Sequence, residues 1–283
     1  MSDFDKTDHF PWNESYLNGL NEIDEPMRAF WVSAAQFHFR NIQPDLAALS
    51  PLSRVLEIGC GAGILLNMLA RTFPELDIYG AEPFGDGFGG LAKLASYSDL
   101  LGTKILPFGY EELAPEKPLD LIYSVNVLEH LPDWRHFLDQ FPRLLVPGGR
   151  GLILCPNYGF PFDPHFNRPV IGPKRFMRWL YRRRIETIEK EFDMPGLWDS
   201  LNFVRLSQIK RHVRDGPLQL RVRHSISELM IDRLVTDQEM SRHMPGARRL
   251  GLLAQKLGIA KLLQTQLLEN AQPYIFIELT YRP

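Results

Sequence analysis

The sequence predicts a doubly wound α/β domain on a mostly parallel sheet, and three observations predict it. Short β-rich runs alternate with helical periods from Arg54 to Cys155. One run, Leu119–Val127, is apolar almost throughout, as a strand covered by helices on both faces must be. The composition of the 283 residues, 45% hydrophobic, 11% aromatic and 23% charged, supplies a sizeable core. It excludes a disordered tail, a collagen-like repeat or a small cross-linked scaffold.

Taken in order, residues 14–49 read mostly as helix, with Leu17, Leu20, Ile23, Phe30, Val32, Ala35 and Phe37 apolar and Pro44 and Pro51 as punctuation. Arg54–Ile58 is a strand, and after a glycine turn Ile64–Thr72 places Leu65, Met68 and Leu69 at helical spacing. Leu76–Ala81 is a second strand, Gly90–Ser96 a helix, Lys104–Leu106 a third strand and Leu119–Val127 a fourth. Trp134–Leu145 is a helix ended by Pro147-Gly148-Gly149, and Gly151–Cys155 a fifth strand. Beyond Pro156 the regularity stops. Residues 157–173, with prolines 161, 164, 169 and 173, read as a loop, and Lys174–Glu191 as one basic helix. Ser207–Val213 is a helix capped by Ser207, Leu218–Ile226 a strand, 227–270 helical and Tyr274–Tyr281 a closing strand, which makes seven strands. The expected organisation is a helical N-terminal extension (1–50), a core (51–157), a lid or substrate insertion (158–206) and a C-terminal completion of the sheet (207–283).

No run of 18 apolar residues is present, so no membrane span is expected. Met1 to Lys6 is polar and acidic rather than a secretory leader, and Cys60 and Cys155 stand far apart with neither disulfide nor metal spacing. A cytoplasmic chain with no metal is expected.

The most informative stretch is Val55-Leu56-Glu57-Ile58-Gly59-Cys60-Gly61-Ala62-Gly63, in which a strand delivers a carboxylate to a glycine turn that opens a helix. Such a turn lets a ligand lie on the backbone beside free helix N–H groups. A dinucleotide turn wants a third glycine where this chain has Ile64, and a carboxylate two residues ahead of Gly59 repels pyrophosphate but suits a cation. The stretch resembles motif I of the class I S-adenosylmethionine-dependent methyltransferases. Further pieces follow in that family's order. Glu82, 19 residues after Gly63, ends the second strand; Phe108-Gly109-Tyr110-Glu111-Glu112-Leu113 follows the third; Asn126-Val127-Leu128-Glu129-His130 closes the fourth; and Pro147-Gly148-Gly149 precedes the fifth. The resemblance covers roughly residues 52–157 and implies a Rossmann-like sheet of seven strands with S-adenosylmethionine as cofactor. It further implies that Glu57 faces the methionine ammonium and that Gly59, Cys60, Gly61 and Gly63 line the cofactor. Glu82 would hold the ribose hydroxyls with Pro83 beside it, Tyr110 or Glu111 would stand at the adenine in place of an Asp that falls on Gly109, and Asn126 would approach the methionine moiety.

Methyl transfer to a hydroxyl needs alignment and a proton acceptor. His130 is one candidate. Some quinone-type O-methyltransferases bind a divalent metal through an E-x-x-E-H segment, but the first position here is Asn126, which speaks against a metal. His165 is the second candidate, in a segment where Asn157, Tyr158 and Asp163 sit among aromatics and prolines past the fifth strand, as an acceptor-binding lip would. Plain structural roles compete with both assignments.

The net charge of −2 hides a division, −11 over residues 1–167, +8 over 168–224 and +1 over 225–283. Seven basic residues and no acid lie between Arg168 and Arg184, with Phe176, Trp179 and Tyr181 interleaved. Arg175 is the expected substrate contact. The partner could be an anionic glycan or lipid-linked acceptor, a peripheral membrane surface or nucleic acid, and a solvated cover helix is the bland alternative. The expected function is O-methylation of a small-molecule, lipid-linked or glycan-like acceptor; the rivals are an RNA methyltransferase and a catalytically silent module that recruits a partner.

Overall fold

The computed structural model describes residues 25–85, 95, 103–192, 194–243, 246–266 and 268–282. The expected helix Gly90–Ser96 lies outside the described residues except for Ala95, as does the 14–24 part of the expected first helix. The first described helix, α1, is Glu25–Leu46. The N-terminal half of the chain then runs β1 (Arg54–Ile58), α2 (Ile64–Thr72), β2 (Asp77–Ala81), β3 (Ile105–Leu106), β4 (Leu119–Val125), α3 (Trp134–Leu144) and β5 (Leu145–Pro156). The insertion holds β6 (Phe162–Asp163), β7 (Arg168–Pro169), α4 (Lys174–Leu180), α5 (Arg182–Glu191) and α6 (Leu197–Ser200). The C-terminal part holds α7 (Leu206–Val213), β8 (Leu218–Val222), α8 (Ile226–Thr236), α9 (Gln238–His243), α10 (Ala247–Lys256), α11 (Ile259–Leu263) and β9 (Tyr274–Tyr281).

Seven strands form one sheet in the order β3-β2-β1-β4-β5-β9-β8. Its pairs from β3 to β5 are parallel, and β9 runs antiparallel to both neighbours. The expected α/β class, strand count and mostly parallel sheet are therefore observed. Strand order reverses between β1 and β4, and a doubly wound sheet opens its ligand crevice at the carboxyl ends of such a pair. One face is covered by α1, α2 and α8, and the other by α3 and α7, so the central strands are buried on both sides. The sequence dictates this coverage. In α3, Trp134, Phe137, Leu138, Phe141 and Leu144 fall on one buried face, and Asp133 caps the helix by accepting the N–H groups of Arg135 and His136 at 3.2 and 3.1 Å.

Several boundaries differ from the sequence reading. Pro147-Gly148-Gly149 does not separate a helix from a strand; it lies inside β5 as an irregularity, because Leu145 already pairs with Leu119 before the register shifts to Arg150 opposite Leu121. The 157–173 loop contains the small β6–β7 ribbon, and the single basic helix is two, broken at Tyr181. Helix α7 begins one residue earlier than expected; the cap is Arg205, whose N–H is accepted by the Gln208 side chain at 3.0 Å, rather than Ser207. Strand β8 stops at Val222, since Ile226 begins α8. The insertion has a small core of its own, built from Tyr158, Phe166, Met177, Ile185, Ile188 and Trp198 with Leu197 and Leu201. Among the described residues, no helix is long and apolar enough to cross a membrane.

Candidate functional site

Strand β1 ends in the glycine turn, and its last residues set the first half of the crevice. Gly59, Gly61 and Gly63 have φ values of 76°, 52° and 77°, a left-handed run that side chains resist. Gly59 is required by packing as well, since a methyl group there would fall inside the Val127 side chain. Cys60 is buried against Gly80 of β2 and lines the turn from behind. Gly63 then opens α2.

Two carboxylates flank the turn. Glu57 sits opposite Tyr123 in the β1–β4 register and accepts its hydroxyl at 3.0 Å. Burial pushes the Glu57 carboxyl up to about 8; the Tyr123 hydrogen bond opposes that shift and the charge of Glu82 adds to it. Glu82 accepts the backbone N–H of Gly61 at 2.9 Å and that of Phe84 at 3.2 Å, so each oxygen has one protein donor and a lone pair left for a ligand hydroxyl. Burial raises its carboxyl too. Two buried carboxylates at a left-handed glycine turn, with no basic side chain acting on Glu57 among the described residues, fit a cationic ligand that carries a ribose.

On the β4 side, Asn126 is exposed to the crevice with φ 55°. Its side chain is held from both ends: Tyr274 donates its hydroxyl to Oδ1, and Nδ2 lies 3.3 Å from His38 Nε2. Burial, with help from Arg233, lowers His38 to about 3, so the ring is neutral and Nε2 accepts. Sequence reading missed Tyr123, His38 and Tyr274. The first was legible as the residue facing Glu57 across neighbouring strands; nothing local marks the other two.

The adenine-side candidates divide. Tyr110 is a core residue whose ring packs edge-on against Phe137 at 5.0 Å and whose hydroxyl reaches the Asp133 carbonyl at 3.3 Å, which commits that side chain to α3. Glu111 and Pro83 are exposed.

Past the crevice the 3₁₀ turn Leu128–His130 and the insertion bring three groups together. Glu129 is fully buried, and neither of its oxygens has a hydrogen-bond partner among the described residues. His130 Nε2 and His165 Nε2 each stand 3.8 Å from Glu129 Oε1, and the two rings lie edge to face with centroids 5.1 Å apart. Both Nδ1 atoms are engaged elsewhere, His130 with Ser200 Oγ at 2.8 Å and His165 with Asp163 Oδ1 at 3.1 Å, which turns both Nε2 atoms toward the carboxylate. Burial raises the Glu129 carboxyl to about 7 against the pull of His165. Burial lowers His165, but the hydrogen bond and charge of Asp163, with the charge of Glu129, carry it above its ordinary value. Burial and the charges of His165 and Lys174 hold His130 well below. One ligand atom from each of Glu129, His130 and His165 lies within 4.8 Å of the others, a set that could hold a divalent ion.

Three residues of the expected acceptor lip are engaged within the protein. Asn157 is buried and fully used: Nδ2 donates to the carbonyls of Asn270 and Gln272 at 3.1 and 2.8 Å, and Oδ1 accepts from Gly159 and Leu206 N–H at 2.9 and 3.2 Å. It ties three segments together and has no valence for a substrate. Tyr158 is buried and donates to Asp163 at 3.0 Å, while Asp163 also accepts the Phe166 N–H at 3.1 Å. Both reach the His165 ring, Asp163 Oδ1 at 3.1 Å and the Tyr158 hydroxyl at 3.4 Å from Nδ1. Arg175 is exposed on the first turn of α4.

The comparisons agree with this architecture. A model described as a methyltransferase domain matches residues 30–211. An uncharacterised protein of Mycobacterium tuberculosis is 33% identical over 251 residues, covering 85% of this chain and 83% of that one. A ubiquinone biosynthesis O-methyltransferase of Rhodopseudomonas palustris is 30% identical over 163 residues, 58% of this chain and 62% of that protein. Among solved structures, a geranyl diphosphate methyltransferase in complex with GPP and sinefungin superposes with TM-score 0.50 at 12% identity, covering 87% of this chain and 78% of that one. A family match across most of the sheet, on a fold with this strand order, shows that the chain belongs to the methyltransferase-domain family, as a class I enzyme whose cofactor is S-adenosylmethionine.

Proposed function

We propose that the protein methylates an oxygen of a small-molecule, lipid-linked or glycan-like acceptor that enters over His130 and His165. The observation that carries this reading is the buried Glu129 carboxylate, without a hydrogen-bond partner among the described residues, and the two histidine Nε2 atoms that each stand 3.8 Å from its Oε1. S-adenosylmethionine supplies an electrophilic methyl group. Glu57 and the glycine turn favour its charge, Glu82 its ribose, and Asn126 borders the crevice between cofactor and acceptor. His165, held by Asp163 and backed by Glu129, takes the single acceptor proton; His130, kept neutral with its ring 5.1 Å from that of His165, borders the same mouth. The O-methyltransferase relative from Rhodopseudomonas palustris favours oxygen as the accepting atom.

A second reading is favoured by the same carboxylate: Glu129, His130 and His165 would hold a divalent ion, which would supply Lewis-acid activation of the acceptor hydroxyl. Methyl transfer to a panel of hydroxylated acceptors, with and without a chelator, separates the two. The proton-transfer reading expects His165→Ala to lose turnover with calorimetric cofactor affinity intact and the chelator to do nothing. Full turnover in both His130→Ala and His165→Ala would sink it.

A further inference from the structure

Helix α4 is amphipathic in an inverted sense. Met177 alone of its side chains is buried, while Trp179 is 73% exposed, Phe176 46% and Leu180 44%, and Ile171 just before the helix is 53% exposed. The Phe176 and Trp179 rings lie 6.0 Å apart at 31°, which makes a continuous apolar plate rather than scattered residues. Basic residues neighbour it along the chain. Arg178 is paired with Asp199 and Arg182 with Glu186, whereas the exposed Arg175 and Arg183 have no ion pair among the described residues. From Arg168 to Arg184 there are seven basic residues and no acid.

We propose that this face docks on an anionic lipid bilayer, with Ile171, Phe176, Trp179 and Leu180 in the boundary between headgroups and acyl chains and the arginines on the headgroups. Charge complementarity selects the occupant. Exposed Arg175 and Arg183 ask for anionic charge beside the plate, and exposed aliphatic Ile171 and Leu180 along with the aromatics ask for hydrocarbon, which a nucleic acid does not offer.

The plate is wired to the acceptor-side cluster. Lys174 Nζ donates to the carbonyls of Asp199 and Leu201 at 2.7 and 2.6 Å, on either side of the Ser200 that holds His130. Arg184 Nε donates to the Phe166 carbonyl at 3.2 Å, next to His165. Docking therefore sets the histidine mouth at the bilayer and makes a hydroxylated lipid the acceptor class; that last step rests on the proposed transfer reaction, while docking itself does not.

The test uses the full chain and sedimentation with vesicles of phosphatidylcholine alone or mixed with phosphatidylglycerol, with neither cofactor nor acceptor present. Binding is expected on the anionic vesicles only and should weaken as salt rises. Phe176→Ser and Trp179→Ser should each weaken it about tenfold, the worth of one large apolar side chain removed from water. Arg175→Glu with Arg183→Glu should abolish the salt-sensitive part. All four side chains are exposed, so unchanged melting temperatures confirm that the variants fold. Absence of binding to anionic vesicles, or full binding by the Phe176→Ser, Trp179→Ser double variant, overturns the proposal. Single-stranded RNA binding lost in these variants without vesicle binding assigns the face to nucleic acid and overturns it as well. With S-adenosylmethionine and a hydroxylated lipid then added to the anionic vesicles, binding without any methylated lipid keeps the docking and overturns the lipid acceptor.

Discussion

The hydroxyl of Tyr123 donates to the carboxyl of Glu57 at 3.0 Å, with both side chains sealed in the sheet beside the glycine turn. The pair makes cofactor binding and stability depend on pH in opposite directions. Glu57 titrates near 8 in the folded chain, by burial, against 4.5 ordinarily. The folded form therefore holds the extra proton between those values, and stability falls as pH rises through that window. A cationic cofactor prefers the ionised carboxylate, so its affinity rises over the same window. Glu57→Gln should flatten both slopes, raising Tm near pH 8 by about 2–4 °C for each kcal/mol relieved and weakening S-adenosylmethionine binding. Thermal melts and calorimetry at pH 5 to 8 check this, and level wild-type profiles would refute it.

Gly59 and Val127 form a second coupled pair, in which backbone conformation and close packing act on one residue. Gly59→Ala brings a left-handed cost of roughly 1–2 kcal/mol together with an overlap with the valine methyls. Val127→Ala should be mildly destabilising alone and should recover only the overlap in the double variant, leaving the conformational cost. Urea midpoints of the four proteins in the cycle measure the split; simple additivity would show that the two residues do not meet.

Asn157 should behave as a structural clamp. Asn157→Ala strands the buried Leu206 N–H, the Gly159 N–H and two carbonyls, each such loss costing about 1–3 kcal/mol where water cannot enter. The expected result is a large fall in denaturation midpoint with KM unchanged at a temperature where the variant is folded. A raised KM at unchanged stability would restore Asn157 to the acceptor site.

What the chain shows in one dimension and what it hides follow a physical divide. The Glu57 turn and Glu82 were legible because a strand, a turn and a helix start are local, and the sheet brings β1 and β2 side by side. Asn157 was misread because its four partners come from residues 159, 206, 270 and 272, so a polar residue in a crevice loop looked free. Tyr110 was misread for the same reason, its ring being claimed by α3 24 to 27 residues on. His130 and His165 were each legible as polar residues at a crevice mouth, but their meeting over Glu129 depends on the insertion folding around its own small core. Ser200, which aims His130, carries no local signal at all.

The Glu129 cluster offers the sharpest division between two chemistries. A carboxylate with no hydrogen-bond partner among the described residues and two histidines turned toward it by Ser200 and Asp163 can serve as a proton relay or as a ligand set. If a divalent ion is held, adding Mn²⁺ or Zn²⁺ to metal-stripped protein at about 100 times its Kd should stabilise the fold by about 2.7 kcal/mol. Glu129→Gln should abolish that gain, because a neutral amide neither attracts the ion nor replaces the lost carboxylate oxygen. If the cluster relays a proton, the metals leave Tm unchanged, chelators leave turnover intact, and His165→Ala lowers kcat by about 10²–10⁴. Asp163→Asn should then give a smaller loss of kcat than His165→Ala, since Asp163 touches only the far side of the ring. Differential scanning calorimetry with and without metal, read beside single-turnover rates, decides between them; a metal-dependent rise in Tm that survives in Glu129→Gln would remove the cluster from both roles.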